Sequence, residues 1–319
     1  MKEPWFWRDA SIAARLARAA LAPLSFAYDA GQRLRRAIAP AGGADAPVIC
    51  VGNASLGGVG KTPFALMLAA ALKDRGLTAH FSSRGYGGAL RGPVQVARDH
   101  RACDVGDEAL LLAAAAPTWI AKDRLAGARA AAAGADVVIM DDGFQNPSVR
   151  KAVSLLVVDA ADPGEDARVF PAGPMREPLN RAIARADAII QIGKGAVDPQ
   201  GKPLFRAATR VAASPQTGRV LAFCGIGNPA RFFASLESAG FEIAGRAAFA
   251  DHHPYDGADL AMLRRRAAQL KARLVTTEKD FVRLSPDERR DIEILKIEMT
   301  LDDWPGLVDL ILTKAVRPK

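Results

Sequence analysis

The run Ser55-Leu56-Gly57-Gly58-Val59-Gly60-Lys61-Thr62 puts three glycines, a lysine and a threonine into eight residues, between an apolar run and a run of helix formers. That composition suits phosphate. Glycines let backbone N–H groups turn inward around phosphate oxygens, and the N-terminus of the following helix adds its dipole. Lys61 would reach the outer phosphates of a nucleoside triphosphate, and the Thr62 hydroxyl would ligate Mg²⁺. Pro63 closes the stretch. Its first position is Ser55, where the strict GxxxxGK[ST] pattern has glycine. The plain alternative is an ordinary glycine turn before a helix. The GKT ending and the strand–loop–helix setting favour phosphate.

A second cluster follows the apolar run Val137-Val138-Ile139-Met140. Asp141 and Asp142 end that run, and Gly143 turns the chain. Carboxylates at the C-terminal end of a buried strand beside a phosphate loop suit a Mg²⁺ site, whereas alone they would read as solvated turn residues. Other polar clusters lie mostly near strand ends: Ser83-Arg84-Gly85-Tyr86-Gly87-Gly88, Val105-Gly106-Asp107-Glu108, Phe170 to Pro178, and Phe249-Ala250-Asp251-His252-His253. Singly, each reads as a turn or cap; Asp107 could simply cap its helix. His252 and His253 are half of the four histidines, but no second His/Cys cluster accompanies them, so a metal site there is not expected.

The elements that would position these residues alternate. Strands are expected at 47–51, 77–81, 119–121, 137–140, 155–158 and 188–192, and helices at 61–74, 107–115 and 123–133. The fully apolar strands fit a buried parallel sheet. A second series has strands at 220–223, 274–276 and 294–297, and helices at 229–238, 259–272 and 304–315. This rhythm predicts a P-loop NTPase-like, doubly wound α/β/α domain and a second, smaller α/β/α domain. The expected boundaries are an N-terminal segment 1–40, a first domain 41–205 and a second 206–319, the last helix returning to the first domain. The polar stretch 194–218 marks the main boundary.

The chain has 319 residues, half of them hydrophobic and 24% charged, which excludes a disordered or disulfide-stapled class. Cys50, Cys103 and Cys224 are widely spaced, which fits a reducing compartment. No secretory signal or membrane span is evident. The net charge is +8, and residues 1–40 supply half of it, seven basic against three acidic residues. That stretch also carries Trp5, Phe6, Trp7, Leu16, Leu21, Leu24, Phe26 and Tyr28. An amphipathic helix on an anionic membrane surface and a helix packed on its own domain fit it equally. Pro23 argues against one unbroken helix.

In this order, VGNASLGGVGKTP, SRGYGG, VGDE, DDGFQ, FPAGPMREPL, ADHH and TTEKD resemble the tetraacyldisaccharide 4'-kinases of lipid A biosynthesis, nearly end to end. The resemblance implies transfer of the γ-phosphate of ATP, with Mg²⁺, to the 4'-hydroxyl of an acylated glucosamine disaccharide 1-phosphate, giving lipid IVA. It implies work at the cytoplasmic face of the inner membrane in a Gram-negative bacterium. No nucleic acid and no obligate protein partner are expected. A sugar hydroxyl must lose its proton as the phosphoryl group arrives, and a carboxylate held by a histidine can accept it. The resemblance assigns that pair to Asp107 and His252, which would require the two domains to close. It makes Asp142, Asp141, Glu108 and Glu177 candidates for Mg²⁺, Arg176 and Arg84 for phosphate, and Gln145 for orienting reacting groups. Asn146 departs from the histidine usual after DDGFQ. Two other classes compete. One is a regulatory GTPase, against which Thr277-Glu278-Lys279-Asp280 has the wrong spacing for guanine. The other is a membrane-recruited ATPase without lipid chemistry.

Overall fold

The computed structural model of the chain describes residues 4–7, 9–161, 168–212 and 217–315. Lys2, Glu3 and Arg8 of the basic N-terminal stretch lie outside these. A turn of 3-10 helix (Trp5–Trp7) leads into a 27-residue helix, α1 (Ile12–Ile38), capped by the Ser11 hydroxyl. The break expected at Pro23 does not occur. Pro23 and Ala19, whose carbonyl loses its helical partner, both face solvent, so water can serve that carbonyl. The opposite side of α1 is anchored by the buried Ala14, Ser25 and Asp29.

The first α/β unit then runs β1 (Val48–Gly52), α2 (Lys61–Asp74), β2 (Ala79–Ser83), β3 (Val94–Gln95), α3 (Ala102–Val105), α4 (Asp107–Ala113), β4 (Thr118–Ile120), α5 (Arg124–Ala132), β5 (Val137–Asp141), β6 (Val153–Asp159), α6 (Leu179–Arg185), β7 (Ala188–Ile192) and β8 (Leu204–Val211). The second comprises β9 (Arg219–Cys224), α7 (Pro229–Ser238), β10 (Glu242–Ala248), α8 (Gly257–Leu270), β11 (Arg273–Thr277), α9 (Glu278–Phe281) and β12 (Ile292–Leu295). Then β13 (Ile297–Leu301) and α10 (Trp304–Ala315) return to the first unit.

Among the described residues, the larger sheet has nine strands in the order β13-β8-β7-β6-β1-β5-β2-β4-β3, and the smaller has four in the order β10-β9-β11-β12. Pairing is parallel except at the larger sheet's two edges, β13 on β8 and β3 on β4. One face of the larger sheet is covered by Phe64, Leu68 and Leu72 of α2 and by Leu307, Val308 and Ile311 of α10. The other face takes Ala128, Ala131 and Ala132 of α5, and Leu179, Ala182 and Ile183 of α6. The smaller sheet lies between α7, through Phe232 and Leu236, and α8, through Leu260 and Leu263. Register positions the chemistry. Val51 of β1 pairs with Asp141 of β5, and Ser82 of β2 with Met140, so the loops that follow these strands emerge side by side.

Three sequence expectations change. Strand β8 occupies the polar stretch expected as a boundary, and the 205/206 division cuts through it. Only Phe205 and Ala207 of β8 are buried, so its wet face made it look like loop. Strand β10 escaped notice for the same reason, with a single buried residue. The strand expected at 294–297 is two strands in different sheets, separated by Lys296.

Candidate active site

The glycine loop leaves β1 and wraps the N-terminus of α2. Gly60 caps that helix with φ +89°, a left-handed conformation that suits glycine, and a Cβ there would meet Ile192 Cδ1 at 2.9 Å. The loop's first half is pinned. The Leu56 N–H donates to Pro174 O at 2.7 Å, the Arg176 N–H to Ala54 O at 2.7 Å, and Ser55 bridges to Met175. The second half is open: among the described residues, nothing lies within 4 Å of where a Cβ would stand on Gly57 or Gly58. Val59 packs against the core below. Pro63, expected in the phosphate-binding stretch, has no N–H to offer; it is the third residue of α2, where its ring fits the first turn.

Lys61 Nζ donates to Asn53 Oδ1 at 2.9 Å and lies 3.6 Å from Asp142 Oδ1. Asn53, fully buried, also donates to the carbonyl and hydroxyl of Ser55. The Thr62 hydroxyl donates to Asp141 Oδ2 at 3.2 Å. Asp141 is buried at the end of β5, and its other carboxylate oxygen has no hydrogen-bond partner among the described residues. Burial and the nearby Glu108 charge push its carboxyl up to about 7, against the pull of Lys61. A buried carboxylate oxygen without a donor, beside a threonine hydroxyl and near Glu108, is the hard-oxygen environment that Mg²⁺ takes. Among the described residues, no group of three or more His, Cys, Asp or Glu forms a metal cage. Mg²⁺ sites built from one or two carboxylates and substrate phosphates need none.

Asp142 differs from its neighbour. Burial would raise its carboxyl, but Lys61 and the bidentate guanidinium of Arg176, at 2.8 and 3.2 Å, hold it down to about 2. Gln145 lies beneath, with both ends engaged. Its amide nitrogen donates to Asn53 O and Glu177 Oε1, and its oxygen accepts from Arg176. Glu177 is not placed as a Mg²⁺ ligand. Its buried carboxylate is taken by Arg36 of α1 at 2.7 Å and Arg185 of α6 at 2.5 Å. Arg84, exposed beyond β2, makes no hydrogen bond or ion pair among the described residues. Asn146 accepts from the N–H and hydroxyl of Ser148, which ends its turn.

The third cluster spans the two units. Gly106 precedes α4 at φ +87°, and a Cβ there would stand 2.3 Å from Tyr86 O, so the Tyr86 loop and the start of α4 interlock. This fixes Asp107, the first residue of α4, facing the second unit. His252 Nδ1 lies 3.0 Å from Asp107 Oδ2, and since a carboxylate only accepts, Nδ1 carries the proton. Burial would raise the Asp107 carboxyl, but the His252 hydrogen bond and the charges of Lys279 and Arg283 hold it well below the usual range. Lys279 Nζ lies 3.4 Å from both Glu108 Oε1 and His252 Nε2. His253 turns away to Asp259 at 2.7 Å.

The structure thus brings Lys61, Thr62, Asp141, Asp142 and Arg176 together at one sheet edge. It brings Asp107, Glu108 and His252 together across the cleft. Sequence reading missed Asn53, Arg124, Lys279 and Arg283. Arg124 is buried under the carboxylates and donates to the Asp141 carbonyl at 2.7 Å. Asn53 and Lys279 stood inside motifs noted for their order, with no chemistry attached to either.

A glycine loop around a helix N-terminus, with its threonine on an aspartate of the adjacent parallel strand, defines a P-loop nucleotide-binding protein of the α/β class. A sequence model of the tetraacyldisaccharide-1-P 4'-kinases matches residues 17–316, and the chain belongs to that family. It is 46% identical to the tetraacyldisaccharide 4'-kinase of Rhodospirillum centenum, covering 100% of this chain and 98% of the relative. It is 51% identical to that of Methylobacterium nodulans, covering 89% and 88%. Its fold matches the crystal structure of LpxK from Aquifex aeolicus in complex with ATP, with a TM-score of 0.76 and 27% identity over 94% of this chain and 99% of that one. The chain is a kinase of lipid A biosynthesis, and neither a regulatory GTPase nor a partner-driven ATPase is favoured.

Proposed function

We propose that the chain moves the γ-phosphate of ATP to the 4'-hydroxyl of an acylated glucosamine disaccharide 1-phosphate, with Asp107 as the base. The Asp107–His252 contact across the cleft carries this reading. Asp107 takes the hydroxyl proton as the oxygen bonds phosphorus and the bridging bond to ADP breaks. His252 keeps the carboxylate in orientation. Gly57, Gly58 and the N-terminus of α2 cradle phosphate oxygens, and Lys61 neutralises charge on them. Arg84 offers a free guanidinium to a phosphate of either substrate. Thr62 and Asp141, with Glu108 nearby, would hold Mg²⁺. When bound, the ion would neutralise charge on the phosphates. Asp107→Ala and His252→Ala should each cut turnover strongly. The double variant should be little worse than the worse single variant. Fully multiplicative losses would count against a joint role.

We further propose that α1 seats the enzyme on an anionic membrane surface, in keeping with a substrate whose acyl chains stay in the bilayer. Ile12, Leu16, Leu34 and Ile38 are exposed and fall within about a quarter turn of one another. Exposed Arg15 and Arg35 flank this stripe, as does Arg33, which also lies 3.6 Å from Asp29. Arg18 and Arg36 do not join them: Arg18 donates to the Phe6 and Asp9 carbonyls, and Arg36 to Glu177. The opposite face docks on the protein. The Ser25 hydroxyl donates to Val169 O at 2.8 Å, and Asp29 takes Arg181 at 2.6 Å. A groove of about 670 Å³ runs between this face and residues of the 168–180 segment. No helix among the described residues is long and apolar enough to cross a membrane.

A further inference from the structure

Asp107 is held by more than its histidine. Its Oδ2 accepts from His252 Nδ1 at 3.0 Å and from Arg283 twice, Nε at 3.0 Å and Nη2 at 2.5 Å. Its Oδ1 takes the Glu108 N–H at 2.9 Å and keeps a lone pair. The Arg283 side chain is 5% exposed and lies between two aspartates, Asp107 of the first unit at 3% and Asp280 of the second at 0%.

Asp280 is held by four donors. Its Oδ1 accepts from the Gly225 N–H at 2.8 Å, the Tyr255 hydroxyl at 2.9 Å and Arg283 Nη1 at 2.7 Å, while Oδ2 accepts from the Thr277 hydroxyl at 2.6 Å. Gly225 follows β9 and Thr277 ends β11, so these bonds tie Asp280 to the C-terminal edge of the smaller sheet. The Gly225 carbonyl accepts from both the His252 N–H at 3.0 Å and Arg283 Nη1 at 2.9 Å. The His252 backbone and the Arg283 guanidinium are therefore registered on one backbone oxygen, and both side chains reach Asp107.

We infer that Arg283, oriented by Asp280, is a positioning residue for the phosphoryl transfer: its fork fixes the Asp107 carboxylate so that Oδ1 is the oxygen left for the sugar hydroxyl. The Glu108 N–H and His252 each give the carboxylate a single hydrogen bond, one per oxygen, whereas two further donors from a planar guanidinium add a rigid hold on Oδ2. The inference rests on the reading of Asp107 as base. It adds a second group that the smaller unit brings to the base.

The test compares wild type, R283K, R283Q, H252A and the R283Q/H252A double variant as full-length proteins. Each is given ATP, Mg²⁺ and the acylated glucosamine disaccharide 1-phosphate, with circular dichroism and Tm recorded for each. R283Q and R283K should lower kcat by about 10–100-fold, the scale of a misplaced reacting group. KM for both substrates should stay within about threefold, because ground-state binding is untouched. H252A should cost far less in the R283Q background than in wild type. A kcat near wild type in folded R283Q overturns the inference, as does an H252A loss that multiplies in full. Should R283Q fail to fold, R283K decides, since it keeps the buried charge and loses the fork: wild-type kcat there overturns the inference. Wild type that yields no phosphorylated lipid overturns the kinase reading itself, a result distinct from active wild type with equally active R283 variants.

Discussion

Asp141 and Asp142 are sequence neighbours with opposite electrostatic fates, and the difference lies in what each side chain meets. Asp142 meets Lys61 and Arg176; Asp141 meets one hydroxyl, a buried wall and the field of Glu108. Because the Asp141 carboxyl is raised to about 7, the metal-free folded state holds a proton there that the unfolded chain releases near pH 4. Its contribution to stability is full below that lower value and is lost as pH rises through about 7. Asp141→Asn should therefore stabilise the protein in EDTA at pH 8, by roughly 1–3 kcal/mol, and the gain should fade toward pH 5. The same variant should lose the rise in Tm that Mg²⁺ with ATP gives wild type. Thermal melts across pH, with and without Mg²⁺ and ATP, check both. A gain that is flat with pH would contradict the assignment of a proton to Asp141.

The elements divide into those that declare themselves in sequence and those that do not. Helix α2 occupies the span expected for it, because a glycine loop starts it and an apolar face continues to Leu72. The buried parallel strands β1, β5, β6 and β7 read directly as apolar runs. Strands β8 and β10 do not, since each keeps a wet face, and α1 runs through Pro23 because the lost hydrogen bond falls on its solvent side. The phosphate loop was legible from residue types and spacing alone. The Asp107–His252 pair was legible only through family resemblance, for 145 positions separate its members. Arg283 gave no signal, because its importance comes from two aspartates on different units. Helix α10 is an element whose role the fold makes specific: Leu307, fully buried, packs with Ile311 in the core beneath α2. Leu307→Ala should cost about 2–5 kcal/mol in denaturant unfolding, the range for a buried leucine cavity. A loss under about 1 kcal/mol would contradict that packing.

At the scale of the whole molecule, α1 is both part of the fold and a surface facing outward. Deleting it would remove the Ser25, Asp29 and Arg36 contacts along with the exposed stripe, so point changes separate the roles. Arg15→Glu and Arg35→Glu together should weaken binding to anionic vesicles, each reversal removing about 1 kcal/mol or more of attraction. Leu16→Gln with Leu34→Gln should weaken it further by removing buried apolar area. Both sets should raise KM for the lipid more than KM for ATP and leave Tm nearly unchanged. Equal co-sedimentation of wild type and variants with vesicles would remove the membrane role from α1.

The central claim is chemical: a P-loop and a carboxylate base held from across the cleft phosphorylate a sugar hydroxyl on a lipid. Incubation of the full-length protein with ATP, Mg²⁺ and acylated glucosamine disaccharide 1-phosphate, followed by tandem mass spectrometry of the lipid, tests it directly. The account predicts one added phosphate on the 4'-oxygen, formed by wild type and reduced by orders of magnitude in folded Lys61→Ala. ATP hydrolysis without any phosphorylated lipid, or phosphate found at another oxygen, would contradict it.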